Sequence, residues 1–124
     1  MARLVKLFNN SDIYVADIKK DLLLEIVEKA KEFDFIKQLI LFGSSLEERC
    51  KGSSDIDLII IGNKPSYRCL DSKVYRNFTE YVYDLDFSQD YDIIYQYDNI
   101  NKMKGGLKRE VLERGVVIYD NKKQ

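Results

Sequence analysis

The fold is decided by residues 36–61, IKQLILFGSSLEERCKGSSDIDLIII, in which two apolar runs enclose a polar loop. The first run, Ile36–Phe42, is apolar enough to be a buried strand, and it leads the chain into the turn Gly43-Ser44. The second run, Asp55–Ile61, predicts another strand with its acids at the entrance. The sequence therefore predicts two buried strands joined by a polar loop that begins with Gly-Ser.

Two aspartates at the entrance of the second strand carry the first chemical signal. Side chains two residues apart in a strand point to the same face, so the carboxylates of Asp55 and Asp57 can bind divalent cations together. Upstream, the turn at Gly43 and Ser44 can offer backbone N–H groups to a phosphate, and a Cβ on Gly43 would stand in its path. Alone, an Asp-x-Asp is more often a solvated turn. The pairing with Gly-Ser indicates a phosphate and metal site.

The composition limits the classes of function. With 124 residues we expect one domain, with a single core and no second substrate-recognition lobe. Lys and Arg total 20 against 21 Asp and Glu, a net charge of -1, so no global field favours nucleic acid or a membrane surface. The chain shows neither a signal peptide nor an apolar run of about 18 residues, which predicts a cytoplasmic protein. Cys50 and Cys69 are expected to be free thiols.

Helical and turn patterns surround the first strand. Asp17–Asp34 has apolar residues at helical spacing, with Asp17 as the predicted N-cap. The preceding segment, Leu4–Val15, suits either a short strand or an irregular arm, and the sequence does not choose between them. After the strand, Ser44 with Glu47, or Ser45 with Glu48, forms a capping box, so we expect a short helix to begin at the Gly-Ser turn.

The second half of the chain alternates helices and strands. A turn containing the one proline separates it from the first half. The expected elements after that turn are a helix Cys69–Leu85, a strand Tyr91–Tyr97, a helix Met103–Arg114 capped by Gly115, a strand Val116–Tyr119 and a polar tail Asn121–Gln124.

The spacing of these motifs resembles a known family. Gly43-Ser44, a gap of ten residues, and Asp55-x-Asp57 at the start of a strand are similar to the signature of the minimal nucleotidyltransferases of the DNA polymerase beta-like superfamily. The resemblance covers most of the chain, including the ending at residues 109–120. It implies an α/β (α+β) fold, with a small mixed β-sheet and helices packed mainly on one side, and a single minimal nucleotidyltransferase domain over residues 1–124.

The resemblance also implies a reaction and a site. The reaction transfers a nucleoside monophosphate, AMP in the first instance, from a nucleoside triphosphate such as ATP to an acceptor hydroxyl, with Mg²⁺ or Mn²⁺. Two metal ions need several carboxylates on adjacent strands. Asp92, directly before Ile93-Ile94, best matches the third carboxylate, while Asp90 and Asp86 remain alternatives. The expected catalytic and metal-binding residues are Asp55, Asp57 and Asp92, and the expected nucleotide-binding residues are Gly43, Ser44 and Ser45.

The chain departs from the family pattern at one place that bears on activity. Many relatives carry Arg-Gly four and five positions after the motif glycine, where this chain has Glu47 and Glu48. Two acids beside a triphosphate would weaken its binding, which keeps a catalytically idle interaction module open. The family offers a further reading, an antitoxin that pairs with a HEPN-type ribonuclease toxin and adenylylates a tyrosine on it or acts by binding alone. The acceptor, the base and a homo-oligomeric state are left open.

Overall fold

In the computed structural model, the apolar runs are the central strands of a sheet. The structure describes residues 1–123, and Gln124, the end of the predicted polar tail, lies outside the described residues. The strands are β1 (Leu4–Lys6), β2 (Tyr14–Ala16), β3 (Ile36–Phe42), β4 (Ile56–Gly62), β5 (Tyr91–Tyr97) and β6 (Val116–Asp120). The α-helices are α1 (Lys20–Ala30), α2 (Ser66–Cys69), α3 (Lys73–Leu85) and α4 (Gly106–Arg114). Short 3-10 turns lie at Asp17–Lys19, Gly43–Leu46, Ile100–Lys102 and Asn121–Lys123.

Four strands form one mixed sheet in the order β5-β4-β3-β6. Strand β3 is antiparallel to β4 and β6, whereas β4 and β5 are parallel. Residues Leu58 to Ile61 of β4 are at most 1 % exposed, so this strand is covered on both faces and lies inside the sheet. A parallel pair requires a crossover connection, which α2 and α3 supply between β4 and β5. The predicted small mixed sheet is confirmed.

The helices divide unequally between the two faces of the sheet. The larger core cluster joins alternate residues of β3 and β4 to α1, α2 and α3; it includes Leu39, Leu41, Leu58, Ile60, Leu23, Ile26, Cys69, Phe78 and Val82. The intervening strand residues face the other way, and α4 covers them; this smaller cluster includes Ile40, Phe42, Ile59, Ile61, Met103 and Val111. The helices therefore lie mainly on one side, as predicted, and α4 is the exception. Within residues 1–123 no helix has both the length and the apolar character that a membrane crossing requires.

The N-terminal segment is a hairpin rather than an irregular arm. Strands β1 and β2 pair antiparallel as a separate two-stranded sheet, which resolves the alternative left open for Leu4–Val15. The backbone N–H of Ala2 donates to the carbonyl of Glu48 at 2.9 Å, and Ala2 packs against Ala16 and Cys50. The hairpin therefore lies against the loop that connects β3 to β4.

The first helix is shorter than its apolar spacing suggests. The prediction of Asp17 as its N-cap is wrong, because α1 begins at Lys20 after a 3-10 turn and Lys19 is its N-terminal boundary residue. The Asp17 carboxylate instead accepts a hydrogen bond from the backbone N–H of Arg3 at 3.2 Å. Asp17 therefore binds the hairpin residue Arg3, which is distant in sequence, instead of capping the helix.

Two later helices also begin elsewhere than predicted. The expected helix Cys69–Leu85 is two helices, because Ser72 caps α3 by accepting the backbone N–H of Tyr75 at 3.2 Å and so ends α2. The expected helix Met103–Arg114 starts only at Gly106, since Gly105 has a φ of 94° that no helix accommodates. These starts depend on capping and turn geometry, which the apolar spacing alone does not encode.

Candidate active site

The Gly-Ser turn and the aspartates meet at one edge of the sheet. The end of β3 pairs with the start of β4, so that Phe42 lies opposite Asp57 in the antiparallel register. In the parallel register of β4 and β5, Asp57 lies beside Asp92. Asp55 directly precedes β4, and Gly43 directly follows β3. The sheet therefore brings together three parts of the chain that the sequence had singled out separately.

Gly43 is held in close contact with Asp57. Its φ of 79° lies in the left-handed region, which residues with a side chain rarely adopt. A Cβ at this position would overlap the Oδ2 atom of Asp57 and lie 3.2 Å from its Cγ. The sequence argument explained the glycine by the approach of a phosphate, whereas the structure shows a second reason, the approach of the Asp57 carboxylate. A phosphate at Gly43 stays a prediction.

The three aspartates crowd negative charge at this edge. The pKa of Asp57 is raised from 3.8 to about 6, chiefly because the side chain is partly buried, and further by the charges of Asp92, Asp55 and Glu110 on α4. Among the described residues, Asp55, Asp57 and Asp92 have no hydrogen-bond or ion-pair partner for their carboxylates. Carboxylates that repel one another without a cationic partner are the arrangement that a bound divalent cation would relieve.

The two alternatives to Asp92 are less suited to that position. The Asp86 carboxylate accepts hydrogen bonds from the backbone N–H of Ser88 at 2.9 Å and from its hydroxyl at 2.6 Å. These bonds lower the pKa of Asp86 and commit it to its own turn. Asp90 precedes β5, where its carbonyl accepts the backbone N–H of Ile56 at 3.0 Å. Asp92 lies beside Asp57 in the register, and its role as the third carboxylate stays a prediction.

A short helix begins at the Gly-Ser turn, as predicted. It is the 3-10 helix Gly43–Leu46, and no side chain caps it, so the prediction of a capping box is wrong. The Glu47 side chain pairs with Arg49 at 2.5 Å instead, which lowers the pKa of Glu47. Ser44 is partly exposed, whereas Ser45 is fully buried and its hydroxyl has no hydrogen-bond partner within residues 1–123. Ser45 is buried as a whole residue, so its part in nucleotide binding stays a prediction.

The donor set fits a hard divalent cation without forming a finished cage. Carboxylate oxygens are the ligands that Mg²⁺ and Mn²⁺ prefer, and these sites also take oxygens from substrate phosphates. In the part of the chain that the structure describes, no three His, Cys, Asp or Glu side chains are close enough together to hold a metal ion by themselves. A groove of about 580 Å³ lies between the hairpin and β6, away from the three aspartates. Asp55 and Asp92 are exposed, so the site is an open edge.

Comparison with known proteins decides the family. Residues 24–124 match the profile of the family described as polymerase beta, nucleotidyltransferase. The chain belongs to this family. A search of curated proteins found no match.

Two solved structures resemble this polymerase beta-type domain. One is a toxin-antitoxin crystal structure with AMP-PNP, 14 % identical, with a TM-score of 0.56 over 83 % of this chain and 74 % of the other. The second is a candidate nucleotidyltransferase from Sulfolobus solfataricus, 13 % identical, with a TM-score of 0.44 over 87 % and 92 % of the two chains. At these identities the first likeness supports the fold alone.

Sequence reasoning missed three residues near the site of this nucleotidyltransferase-family domain. Glu110 contributes to the raised pKa of Asp57. The sequence pattern of an amphipathic helix does not show which end of the sheet a charged residue on that helix will lie near. Lys19 and Gln89 are 1 % and 8 % exposed and bond to each other at 2.5 Å. Lysine before an amphipathic helix usually indicates a solvated position, so the sequence held no signal for this buried pair.

Proposed function

We propose that this chain is a metal-dependent nucleotidyltransferase that moves AMP from ATP to an acceptor hydroxyl. The observation that carries the proposal is the group of unpaired carboxylates of Asp55, Asp57 and Asp92 beside the turn at Gly43. The sheet register sets Asp57 beside Asp92, and Asp55 directly precedes β4. The membership of the chain in the family supports the reaction class.

Each part of the site has a role in the proposed reaction. Asp55, Asp57 and Asp92 would hold Mg²⁺ or Mn²⁺, which when bound neutralises developing charge and lowers the pKa of the attacking hydroxyl. The backbone N–H groups of Gly43, Ser44 and Ser45 would bind the phosphates. The charge of Glu47 is paired with Arg49, which reduces the repulsion of a triphosphate expected from the acids after the turn. We assign residues 1–124 to one minimal nucleotidyltransferase domain acting in the cytoplasm, where ATP is available and free cysteines stay reduced.

Transfer of label from ATP tests the proposal. The purified protein is incubated with ATP labelled at the α-phosphate, Mg²⁺ or Mn²⁺, and a lysate of its own cell. We expect a labelled acceptor with the wild type, loss of label with Asp57→Asn, and retention with the matched control Asp86→Asn, whose carboxylate serves a local turn. Equal transfer by the wild type and Asp57→Asn would contradict the proposal. Absence of any label with both would favour a catalytically idle interaction module.

A second function is favoured by the toxin-antitoxin structure with AMP-PNP that shares this fold. Here the acceptor is a tyrosine of a HEPN-type ribonuclease toxin, and the chain acts as its antitoxin by adenylylation or by binding alone. Co-expression with the protein encoded beside it, followed by intact-mass measurement, separates these cases. Adenylylation predicts a mass increase of one nucleoside monophosphate on the toxin, lost with Asp57→Asn. Binding alone predicts a stable complex without that increase, and a homo-oligomer predicts assembly of this chain without the neighbour.

A further inference from the structure

Lys19 is a buried cation with no carboxylate in contact. The side chain is 1 % exposed, and its ammonium donates to the carbonyl of Gly52 at 3.1 Å, the carbonyl of Ser54 at 2.8 Å and Oε1 of Gln89 at 2.5 Å. An ammonium has three protons, so these three acceptors use its full donor capacity. Its hydrogen-bond partners are neutral, and the nearby Asp86 carboxylate, whose pKa Lys19 helps to lower, forms no ion pair with it.

Gln89 connects Lys19 to the residues that precede β5. Its Nε2 donates to the carbonyl of Ser54 at 2.9 Å and to the carbonyl of Asp90 at 2.7 Å, so both amide protons are used. The backbone N–H of Ile56 also donates to the carbonyl of Asp90, at 3.0 Å. Lys19 and Gln89 therefore join the loop before β4 to the residues before β5.

The two joined segments carry the three aspartates of the site. Ser54 immediately precedes Asp55, and Asp90 lies two residues before Asp92. The loop is exposed to solvent around Lys51. The backbone N–H of Lys51 donates to Oγ of Ser54 at 2.9 Å, which forms a turn over residues 51–54. The packing of Cys50 against Ala2 and Ala16 holds one part of this loop, and Lys19 holds the part nearest Asp55 through the carbonyls of Gly52 and Ser54. Removing the bonds of Lys19 would loosen the segment that enters Asp55.

We propose that Lys19, acting with Gln89, is a positioning residue that holds Asp55, at the end of the loop before β4, relative to Asp92 and thereby sets the affinity for the divalent cation. This inference rests on the proposed function. Unpaired carboxylates repel one another, so a metal-free site needs an independent support to keep them close. Lys19 lies before residue 24, where the match to the family profile begins, so this chain supplies the support from its own N-terminal segment.

Mn²⁺ binding separates this role from a contribution to stability. The full chain is titrated with Mn²⁺ in the presence of AMP-PNP, a non-hydrolysable ATP analogue. Free Mn²⁺ is followed by electron paramagnetic resonance and compared with a protein-free titration, because the analogue itself binds Mn²⁺. We expect Lys19→Met to raise the Mn²⁺ dissociation constant at least fivefold and to change the affinity for the analogue without metal by less than twofold. The phosphates would lie on the Gly43 turn, which Lys19 does not contact. Val27→Ala, in the core of α1, is the control for lost stability.

A second variant keeps the test valid if Lys19→Met folds poorly. Gln89→Leu should weaken Mn²⁺ binding in the same way, and the double variant should lose less than the two single losses combined, because both act through one linkage. Normal Mn²⁺ binding in both single variants, alongside loss in Asp57→Asn, would overturn the role of Lys19 and leave the proposed function standing. An equal loss in Val27→Ala would also overturn it. Failure of the wild type to bind Mn²⁺ with the analogue would remove the proposed function and this role with it.

Discussion

At the scale of single residues, the site depends on how closely Gly43 and Asp57 approach. The glycine is required twice, by its positive φ and by the carboxylate that occupies the position of a Cβ. The carboxylate in turn is partly buried and surrounded by like charge, which raises its pKa. A carboxylate whose pKa is shifted by burial and neighbouring charge is commonly found where a ligand binds.

Gly43→Ala should therefore disturb both backbone and site. We expect a loss of about 1–3 kcal/mol in the free energy of unfolding, since the methyl group meets a left-handed φ and the Asp57 carboxylate. The dissociation constant for ATP should rise at least tenfold, about 1.4 kcal/mol. Chemical denaturation and calorimetry measure the two effects. Gly52→Ala is the matched control, because no atom lies within 4 Å of its added Cβ. Equal effects of the two variants would contradict this account of Gly43.

The raised pKa of Asp57 predicts a pH-dependent stability. The pKa of the Asp57 carboxyl is about 6 in the folded protein, against the ordinary value of 3.8. Its protonated form therefore favours the folded state. This contribution to the free energy of unfolding is fully present below pH 3.8 and is lost as the pH rises through 6. Asp57→Asn should thus be the more stable protein at about pH 8 without metal, by about 1 kcal/mol once solvent screening is allowed for. The advantage should vanish near pH 3.5. Thermal unfolding with a chelator at both pH values measures it, and an advantage that grows toward low pH would refute the shift.

At the scale of elements, starts and ends depend on single contacts. Helices α2 and α3 are separate because Ser72 bonds in both directions, accepting the Tyr75 N–H and donating its hydroxyl to the carbonyl of Cys69 at 2.6 Å. The turn after β3 is a 3-10 helix without a side-chain cap, and Glu47 pairs with Arg49. Apolar spacing indicates which residues face the core, but it leaves these boundaries open.

The cap of α3 can be tested without touching the site. Ser72→Ala should cost about 1 kcal/mol, because the N–H of Tyr75 and the carbonyl of Cys69 both lose a partner. Ser66→Ala, at the exposed start of α2 where no side chain caps the helix, should change stability by less than about 0.5 kcal/mol. Denaturant unfolding compares them. Mn²⁺ binding should be normal in both variants, and a loss in Ser72→Ala would link the crossover to the site.

At the scale of the whole molecule, the sheet order connects the elements into one site. Strands β3, β4 and β5 are neighbours, so the turn after β3 and the acids of β4 and β5 share an edge. The hairpin and Lys19 support this edge from the N-terminal side, through Ala2 and through the loop carbonyls. Binding of a metal and nucleotide at this edge should therefore stabilise the entire fold.

Ligand-linked stabilisation tests this expectation. With Mg²⁺ and AMP-PNP at about one hundred times their dissociation constants, the unfolding free energy of the wild type should rise by about 2.7 kcal/mol. Asp57→Asn should gain little, because its amide is a poor ligand for Mg²⁺. Differential scanning fluorimetry with and without each ligand measures the change. A gain of equal size in both proteins would place the binding away from the aspartates.

The sequence by itself determined the strands and the candidate residues. Short apolar runs such as Ile36–Phe42 and Leu58–Ile61, bounded by turn residues, favour buried strands, and both lie in inner strands of the sheet. The Gly-Ser and Asp-x-Asp motifs resembled a family that the profile match then showed. The strands and the candidate residues can be predicted because periodicity and motif spacing depend on residues that are close together in the chain.

Only the tertiary structure decided how those residues meet. The pairing of Asp57 with Asp92, the contact of Gly43 with the Asp57 carboxylate and the burial of Lys19 against Gln89 join residues far apart in the chain. A one-residue slip in a strand register would turn every side chain to the opposite face, and no local pattern in β5 alone excludes such a slip. Long-range packing selects one register and buries one lysine because the folded chain must satisfy all of its buried polar groups at once.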